Sequence, residues 1–425
     1  MPIGNRIRDL REGFARSFWV ANTLELFERL AFYSAKAVLA VYLAEKVGLG
    51  PQTGPSLVGL FSGLLYSLPI VAGTIVDRYG FRRSLASCFA LFALGYFLIG
   101  FAGLETGQKI IGDAKVPYIV TVLVLTAVGG SLIKPCIVGT VANTTTEKSK
   151  ALGYSIYYTL VNIGGMFGPL LALPIRERFG IEYVLISSAI ISLGILIGTL
   201  LFFDEPTARP TENVRRLPQI FRDMLMVFGN LRFMLFLLFA SGFYVMFWQT
   251  FYSLPFYAKD VLHFERFELL ESVGAATIIL LTVPASVIAR RMKPIAAISV
   301  GMTVASLSWL LIPISPAVAS VIAALALFST GEAILAPRLY EYVATLAPRE
   351  QIGTYMGFAF LPVAIGSFTA GPLAGWLVSR YVQGSSNPNV MWFVLSGIGI
   401  ICTTGMLLYN QTLARRPVSE ALPAR

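Results

Sequence analysis

The stretch Gly73-Thr-Ile-Val-Asp77-Arg78-Tyr-Gly80-Phe-Arg82-Arg83 sets four charges into a short segment between two apolar runs, near 54–76 and 84–104. A charged loop this brief, flanked by apolar segments of ~20 residues, joins two membrane-crossing helices. The rest of the chain repeats the pattern. Hydropathy predicts helices near 17–44, 54–76, 84–104, 116–142, 151–173 and 182–203, then near 230–257, 267–289, 294–314, 317–346, 353–380 and 389–411. Composition agrees: 56% of residues are hydrophobic, 13% are charged and the mean hydropathy is +0.72. Soluble domains carry about 25% charged residues. A soluble enzyme and a disordered chain are therefore both excluded, and the 425 residues leave no room for a sizeable soluble domain.

The net charge of +10 does not indicate nucleic acid, because the lysines and arginines are scattered through short loops rather than gathered on one soluble surface. Their placement reports topology. With both termini inside, inner segments hold twenty Lys and Arg and outer segments eight, while Arg29, Lys36, Lys134, Arg232 and Arg338 lie in or at the edge of helices. The expected fold is an all-α membrane protein of 12 transmembrane helices in two six-helix bundles, with both termini cytoplasmic. Its parts are an N-terminal bundle at 1–203, a cytoplasmic linker at 204–229 with Pro206, Pro210 and Pro218, a C-terminal bundle at 230–411, and a cytoplasmic tail at 412–425.

Six plus six matches the two-half architecture of major facilitator transporters, and the 73–83 loop resembles that superfamily's signature between helices two and three. Asp77, Arg78, Arg82 and Arg83 would latch neighbouring helix ends in one conformation; the plainer alternative is that the arginines only hold the loop inside. The corresponding place in the second half, Ala289-Arg290-Arg291-Met-Lys293-Pro294, keeps the charge but not the pattern. Cys88, Cys136 and Cys402 sit inside apolar runs without metal or disulfide spacing, and His263 is expected in a solvated loop. The basic start (Arg6, Arg8, Arg11, Arg16) runs into a full-length helix without a small-residue cleavage site, so no cleavable signal peptide is expected.

The first helix carries Glu25, Glu28, Arg29 and Lys36. Each buried charge costs at least ~2.5–3.5 kcal/mol on insertion scales, and such residues default to function. At 100° per residue these four, with Phe32 and Tyr33, fall within a sector of about 140°. Glu25 and Arg29 stand at i, i+4 with the acid first, the better orientation for a helical pair. An inert cluster locking the helix is the competing interpretation, but buried pairs stabilise little against an apolar alternative. In helix four, Gly129-Gly130-Ser131-Leu-Ile-Lys134-Pro135 offers close packing, a loosened turn and a lysine too central to reach the interface. Glu25, Glu28, Arg29 and Lys134 sum to zero, so protonating one glutamate would leave an unpaired cation to change partners.

Glu25-Leu-Phe-Glu28-Arg29-Leu-Ala-Phe32-Tyr33 resembles the helix-one signature of the proton-dependent oligopeptide transporter family. Tyr66, Gly130-Ser-Leu-Ile-Lys134-Pro135, Ser155-Ile-Tyr157-Tyr158-Thr-Leu-Val-Asn162-Ile-Gly164 and Gly331-Glu332-Ala-Ile-Leu-Ala-Pro337, with Leu346-Ala347-Pro348 and Met356-Gly357, are similar to its further motifs. The resemblance implies that Glu25 and Glu28 carry proton coupling. Arg29 and Lys134 would be their partners and would bind a substrate carboxylate. Tyr33, Tyr66 and Asn162 would contact the substrate backbone, and Glu332 its amino terminus. Lys36, Trp248 and Gln249 complete the candidate substrate contacts. The chain departs from the family in reading Phe247-Trp248-Gln249 where an acid usually precedes Gln, in Phe32 for tyrosine, in Lys36 where arginine is common, and in lacking the two extra helices that many bacterial members carry between the halves. Arg338 and Glu341, at i, i+3 near the expected cytoplasmic end, would form a gate or an anchor. The aromatic run Tyr244, Phe247, Trp248, Phe251 and Tyr252 serves either packing or a side-chain pocket.

The expected activity is proton-coupled symport of di- or tripeptides, or a similar small zwitterion, by a monomer in the cell membrane (the inner membrane of a Gram-negative bacterium). A proton gradient would be the energy source, with no cofactor, no metal and no nucleic acid partner. An exporter or exchanger of another solute or drug, and a non-transporting nutrient sensor, are the alternatives. A sensor would call for a longer signalling loop or tail. No phosphate-binding Gly–Lys loop is present, and no nucleophile or metal cluster suggests an enzyme.

Overall fold

The computed structural model describes residues 14–146, 149–206, 222, 225–347, 352–384 and 387–412. Arg6, Arg8 and Arg11, most of the expected linker, Lys148, Pro348 and nearly all of the expected tail lie outside the described residues.

The described chain is all-helical apart from one isolated bridge, Phe14 with Thr145. Its long helices are α1 (Arg16–Val41), α2 (Gly50–Ser67), α3 (Pro69–Tyr79), α4 (Phe81–Phe101), α5 (Lys115–Ser131), α6 (Ile133–Thr144), α7 (Lys150–Phe179), α8 (Ile181–Phe202), α9 (Leu231–Tyr252), α10 (Phe267–Ala289), α11 (Pro294–Ser308), α12 (Val318–Leu346), α13 (Leu361–Leu377) and α14 (Val390–Thr412). Short helices at Leu254–Asp260 and Ile352–Phe358 extend α9 and lead into α13. Ten helices among the described residues are long and apolar enough to cross a membrane, or eleven if α2 and α3 form one span. The helix α1 has the length, 26 residues, but its charges keep it out of that count. Lipid-facing side chains mark the outer surface: Leu280, Val283 and Ile401 are 74%, 73% and 72% exposed on helices with no polar partner for them.

Five expected helices are broken, each near a proline; two of these breaks, at Ser253 in 230–257 and at Trp309–Leu310 in 294–314, fall close to the helix ends. The 54–76 helix bends by 50° at Leu68, before Pro69. The 116–142 helix is interrupted at Leu132, where Pro135 has no N–H to give the Ser131 carbonyl. The 353–380 helix breaks before Pro362. Hydropathy averages over such breaks, because they leave the segment just as apolar.

Hydrogen bonds and ion pairs sort the loops into two ends. At one end Lys115 donates to the Val47 carbonyl at 3.0 Å, Lys46 pairs with Glu182 at 2.9 Å, and Tyr257 bonds Asn389. At the other, Arg82 reaches the Leu200 carbonyl and Arg338 the Met292 carbonyl, near the first and last described residues. The second is the terminal end.

Between the first and second halves of the sequence run two long seams, α2 on α13 and α7 on α10. The α2–α13 seam is backbone on backbone. A Cβ on Gly371 would lie 2.8 Å from the Gly59 Cα and from the Pro55 carbonyl oxygen, so only glycine permits this approach. Ser367 Oγ donates to the Gly59 carbonyl at 3.0 Å and meets the Tyr252 hydroxyl at 2.8 Å, so the seam also satisfies its own polar groups.

Candidate functional site

The charged stripe of α1 is buried. Glu25, Glu28, Arg29 and Lys36 are each less than 5% exposed, at 1%, 1%, 4% and 3%. Arg29 Nε is shared by the two acids, pairing with Glu28 and lying 3.2 Å from Glu25 Oε1. This leaves Glu25 Oε2 and Glu28 Oε1 buried without a hydrogen-bond partner. Two carboxylates compete for one guanidinium edge, and an under-satisfied buried network is one whose members have reason to rearrange. Gly164 makes room for the cluster: a Cβ there would lie 2.3 Å from the Arg29 Cβ. Ser34 Oγ donates to the Gly168 carbonyl at 2.6 Å, holding α1 against α7 one turn further on.

Lys134 makes no ion pair with this cluster among the described residues, although it stays within electrostatic range of Glu25, Glu28 and Arg29. It is half-buried beside the α5–α6 break, with Nζ 4.8 Å from the Tyr66 ring centroid and 5.0 Å from that of Phe360. It lines a cavity of about 430 Å³ together with Tyr66, Pro135, Tyr157, Tyr340 and Phe360. That volume accommodates a small organic solute, and its walls come from both halves of the chain.

A second, smaller cavity of about 90 Å³ holds Tyr33, Asn162, Glu271 and Glu332, walled by Phe247 and Phe251. Here the structure supplies an acid that sequence reasoning missed. Glu271, on α10, is 4% exposed, and neither carboxylate oxygen has a hydrogen-bond partner. The signal was available, since Glu268 and Glu271 are the acids of an otherwise apolar span, but their place in its first turns looks like an ordinary acidic helix start. Val161 borders both cavities, and the two meet along α7. One is bordered by a cation, the other by two carboxylates.

Lys36 has no ion pair or hydrogen bond among the described residues. Instead five aromatic rings surround its Nζ, with centroids at 3.5 Å (Phe251), 4.2 Å (Trp248), 5.3 Å (Tyr33), 5.6 Å (Phe247) and 5.8 Å (Phe32). Desolvated cation–π contacts reach ~2 kcal/mol each, which makes the cage a workable substitute for a counter-ion. Trp248 is fixed in that cage by its Nε1, which donates to the Val363 carbonyl at 3.0 Å, and by stacking on Tyr252. Gln249 faces α13: its Nε2 donates to the Ala370 carbonyl at 3.2 Å and its Oε1 accepts from Ser253. Neither Trp248 nor Gln249 lines either cavity. The aromatic run of α9 thus divides, with Phe247 and Phe251 on the small cavity and Trp248 and Tyr252 in packing.

The end opposite the termini is tied across the halves by ions. Arg176 grips Glu268 and donates to the Glu265 carbonyl, Arg266 meets Glu177 at 2.9 Å, and Lys259 pairs with Glu45. At the terminal end, the 73–83 loop is organised by Glu205, which the sequence did not single out. Its carboxylate accepts from the backbone N–H of Phe81 at 2.6 Å and of Arg82 at 2.8 Å, covering two orphan donors of α4. Gly80, at φ +84°, permits this turn. Asp77, Arg78 and Arg83 are exposed and make no ion pair among the described residues. Arg338 does pair with Glu341, and its bond to the Met292 carbonyl ties it to the loop after α10.

A profile of the Major Facilitator Superfamily matches residues 24–371, and the chain belongs to that superfamily. Curated relatives include dipeptide and tripeptide permease B of Aliivibrio fischeri, 28% identical over 207 residues, which are 46% of this chain and 39% of that protein. Dipeptide and tripeptide permease A of Cronobacter turicensis is 29% identical over 169 residues, 39% of this chain and 32% of that protein. The matches therefore span well under half of these relatives. A solved POT family transporter in complex with 5-aminolevulinic acid superposes with a TM-score of 0.77 at 18% identity, covering 94% of this chain and 97% of that one. A nucleoside transporter reaches 0.76 at 14% identity, over 92% and 99%. At such identities the likeness is one of fold. The permease relatives bear out the resemblance to the proton-dependent oligopeptide transporter branch that the α1 motif carries, and they are transporters, not enzymes.

Proposed function

We propose that this protein is a proton-coupled symporter that imports di- or tripeptides, or a similar small zwitterion, by alternating access. It would cross the membrane twelve times, with α1 as the twelfth span and α2 with α3 as one bent span. The halves are 1–203 and 230–411, joined by a cytoplasmic linker at 204–229. The exposed arginines and lysine at 78, 82, 83, 290, 291 and 293 gather at the terminal end, which supports cytoplasmic termini. The ion-paired end would then be the outer, closed gate, and the 430 Å³ cavity would belong to an inward-facing state.

One observation carries this reading: Glu25 and Glu28 share Arg29 in a buried site with one oxygen of each unpartnered. Protonating one acid leaves the other in sole possession of the guanidinium, and removing a partner from a buried pair is worth ~3–5 kcal/mol, enough to move a two-state equilibrium. Opposed polarity supports a zwitterionic substrate. Lys134 borders one cavity and would take a carboxylate, with Arg29 released from its acids as a second cation. Glu332 borders the other and would take an ammonium. No cofactor is required by this scheme, and its energy source would be the proton gradient across the cell membrane, the inner membrane in a Gram-negative cell.

Proteoliposomes with an inward proton gradient test it. Dialanine should accumulate, and Glu28→Gln should abolish accumulation while sparing counterflow. Accumulation indifferent to pH would reject proton symport and leave the exchanger or exporter reading of the same fold. Glu332→Gln should weaken uptake of peptides with a free amine more than that of amine-blocked ones, and equal losses would remove its assigned role.

A further inference from the structure

The geometry points to a second proton-binding site at Glu271, with Lys36 as the counter-ion that answers its ionisation by leaving the aromatic cage. This extends the proton-coupled reading above and uses neither of the acids assigned there to coupling. Glu271 is buried at 4% exposure, projects into the 90 Å³ cavity, and has no donor on either oxygen. A carboxylate stripped of water and donors is strongly disfavoured, whereas a neutral carboxylic acid is accommodated there. Lys36 is the complementary case, a buried amine ringed by aromatic faces and without an ion pair among the described residues.

The two are placed to meet. Tyr33, Phe247 and Phe251 belong both to the cage and to the wall of the cavity that Glu271 enters. A lysine on a flexible four-carbon stem can cross that shared wall without backbone movement. The surrounding charges leave Lys36 as the cation available. On α10, Glu268 is taken by Arg176 of α7. On the short helix Leu254–Asp260, Lys259 is taken by Glu45, with Asp260 beside it. From α12 comes Glu332, a second acid, and from α7 and α9 the cavity receives Asn162, Thr250 and aromatic rings. Loss of the Glu271 proton to cavity water therefore creates an anion whose available cation is Lys36, and the pair draws α1 of the first half toward α10 of the second. Glu271 stands one helical turn from Glu268 of the outer ion pairs, so the same event acts directly beneath that closure.

Trp248 reports on the cage, since its ring lies 4.2 Å from Lys36 Nζ. Fluorine NMR of the fluorotryptophan-labelled full chain in detergent, with the Trp248 signal assigned by its loss in Trp248→Phe, reads departure of the ammonium without any transport measurement. The Trp248 signal should move in one step as pH rises, and Glu271→Gln should remove the step. Glu271→Asp should restore it, and Glu332→Gln should retain it. Lys36→Met, which tests the pair from the other side should Glu271→Gln not fold, should also remove it. A step that survives Glu271→Gln or Lys36→Met, a step lost in Glu332→Gln instead, or a wild-type signal that does not move with pH would each overturn the proposal. Failure of peptide uptake alone would sink the proposed function and leave this readout standing.

Discussion

The two ends of the interface between the halves are built from different materials. Opposite the termini, α2 and α13 meet backbone to backbone at Gly59 and Gly371, and ion pairs at Arg176, Arg266 and Lys259 span the rest. Toward the terminal end the glycine contact gives way to Tyr66, Lys134, Tyr340 and Phe360 around open space. The first end is close-packed and charge-matched, the second aromatic and loosely filled. Tight packing has a steep energy wall, while aromatic faces around a cavity can be rearranged at small cost. The alternating access proposed above would need this asymmetry, with the closed side held by contacts that break together.

Disturbing the glycine seam should have the largest effect on that asymmetry. Gly371→Leu forces side-chain atoms onto Gly59 and Pro55 and should destabilise the closed end by about 3 kcal/mol, on the order of a hundredfold in its population. Maleimide labelling of a Ser62→Cys reporter, buried in the seam in this structure, should accelerate accordingly. Unchanged labelling would show that the seam does not hold the closure. Next, Glu268→Gln strips Arg176 of its buried partner. Arg176 keeps 18% side-chain exposure, so the loss falls below that of a fully buried pair, at about 2 kcal/mol, read by the same reporter. At the terminal end, Glu205→Gln should cost ~1 kcal/mol through weaker capping of α4, seen as a lower thermal midpoint, while Asp77→Asn leaves the midpoint in place. The reverse order would restore Asp77 as the organiser of that loop. Smallest is Lys259→Ala, worth ~0.5 kcal/mol and fading in high salt, because Glu45 retains 42% side-chain exposure.

Much of the fold is legible in one dimension. Apolar runs mark the spans because lipid offers no hydrogen bonds to anything else, and the helices α4, α8, α10, α12 and α14 start and end within a few residues of where hydropathy puts them. The buried stripe of α1 is legible for the complementary reason, since four charges within a membrane-length helix have no other explanation than a shielded interior. The aromatic run of α9 was ambiguous in the sequence, and its division into cavity wall and packing depends on which face of α9 meets α13. Glu205 was passed over because a charge at the end of a span usually belongs to solvent; its role arises only when α8 returns beside the start of α4.

The linear order of residues alone determined that this is a polytopic helical transporter-like chain, and it named Glu25, Glu28 and Arg29 as a cluster, because spacing along one helix is sufficient to bring them together. It also determined Arg338 with Glu341, for the same reason. Only the tertiary structure decided that Lys134 rests over the Tyr66 ring, that Lys36 is caged by rings from α1 and α9, and that Glu271 enters the cavity of Glu332. Those relations join residues tens to hundreds of positions apart. They are set by how helices rotate and close on one another, a property of paired surfaces that the periodicity of a single helix does not contain.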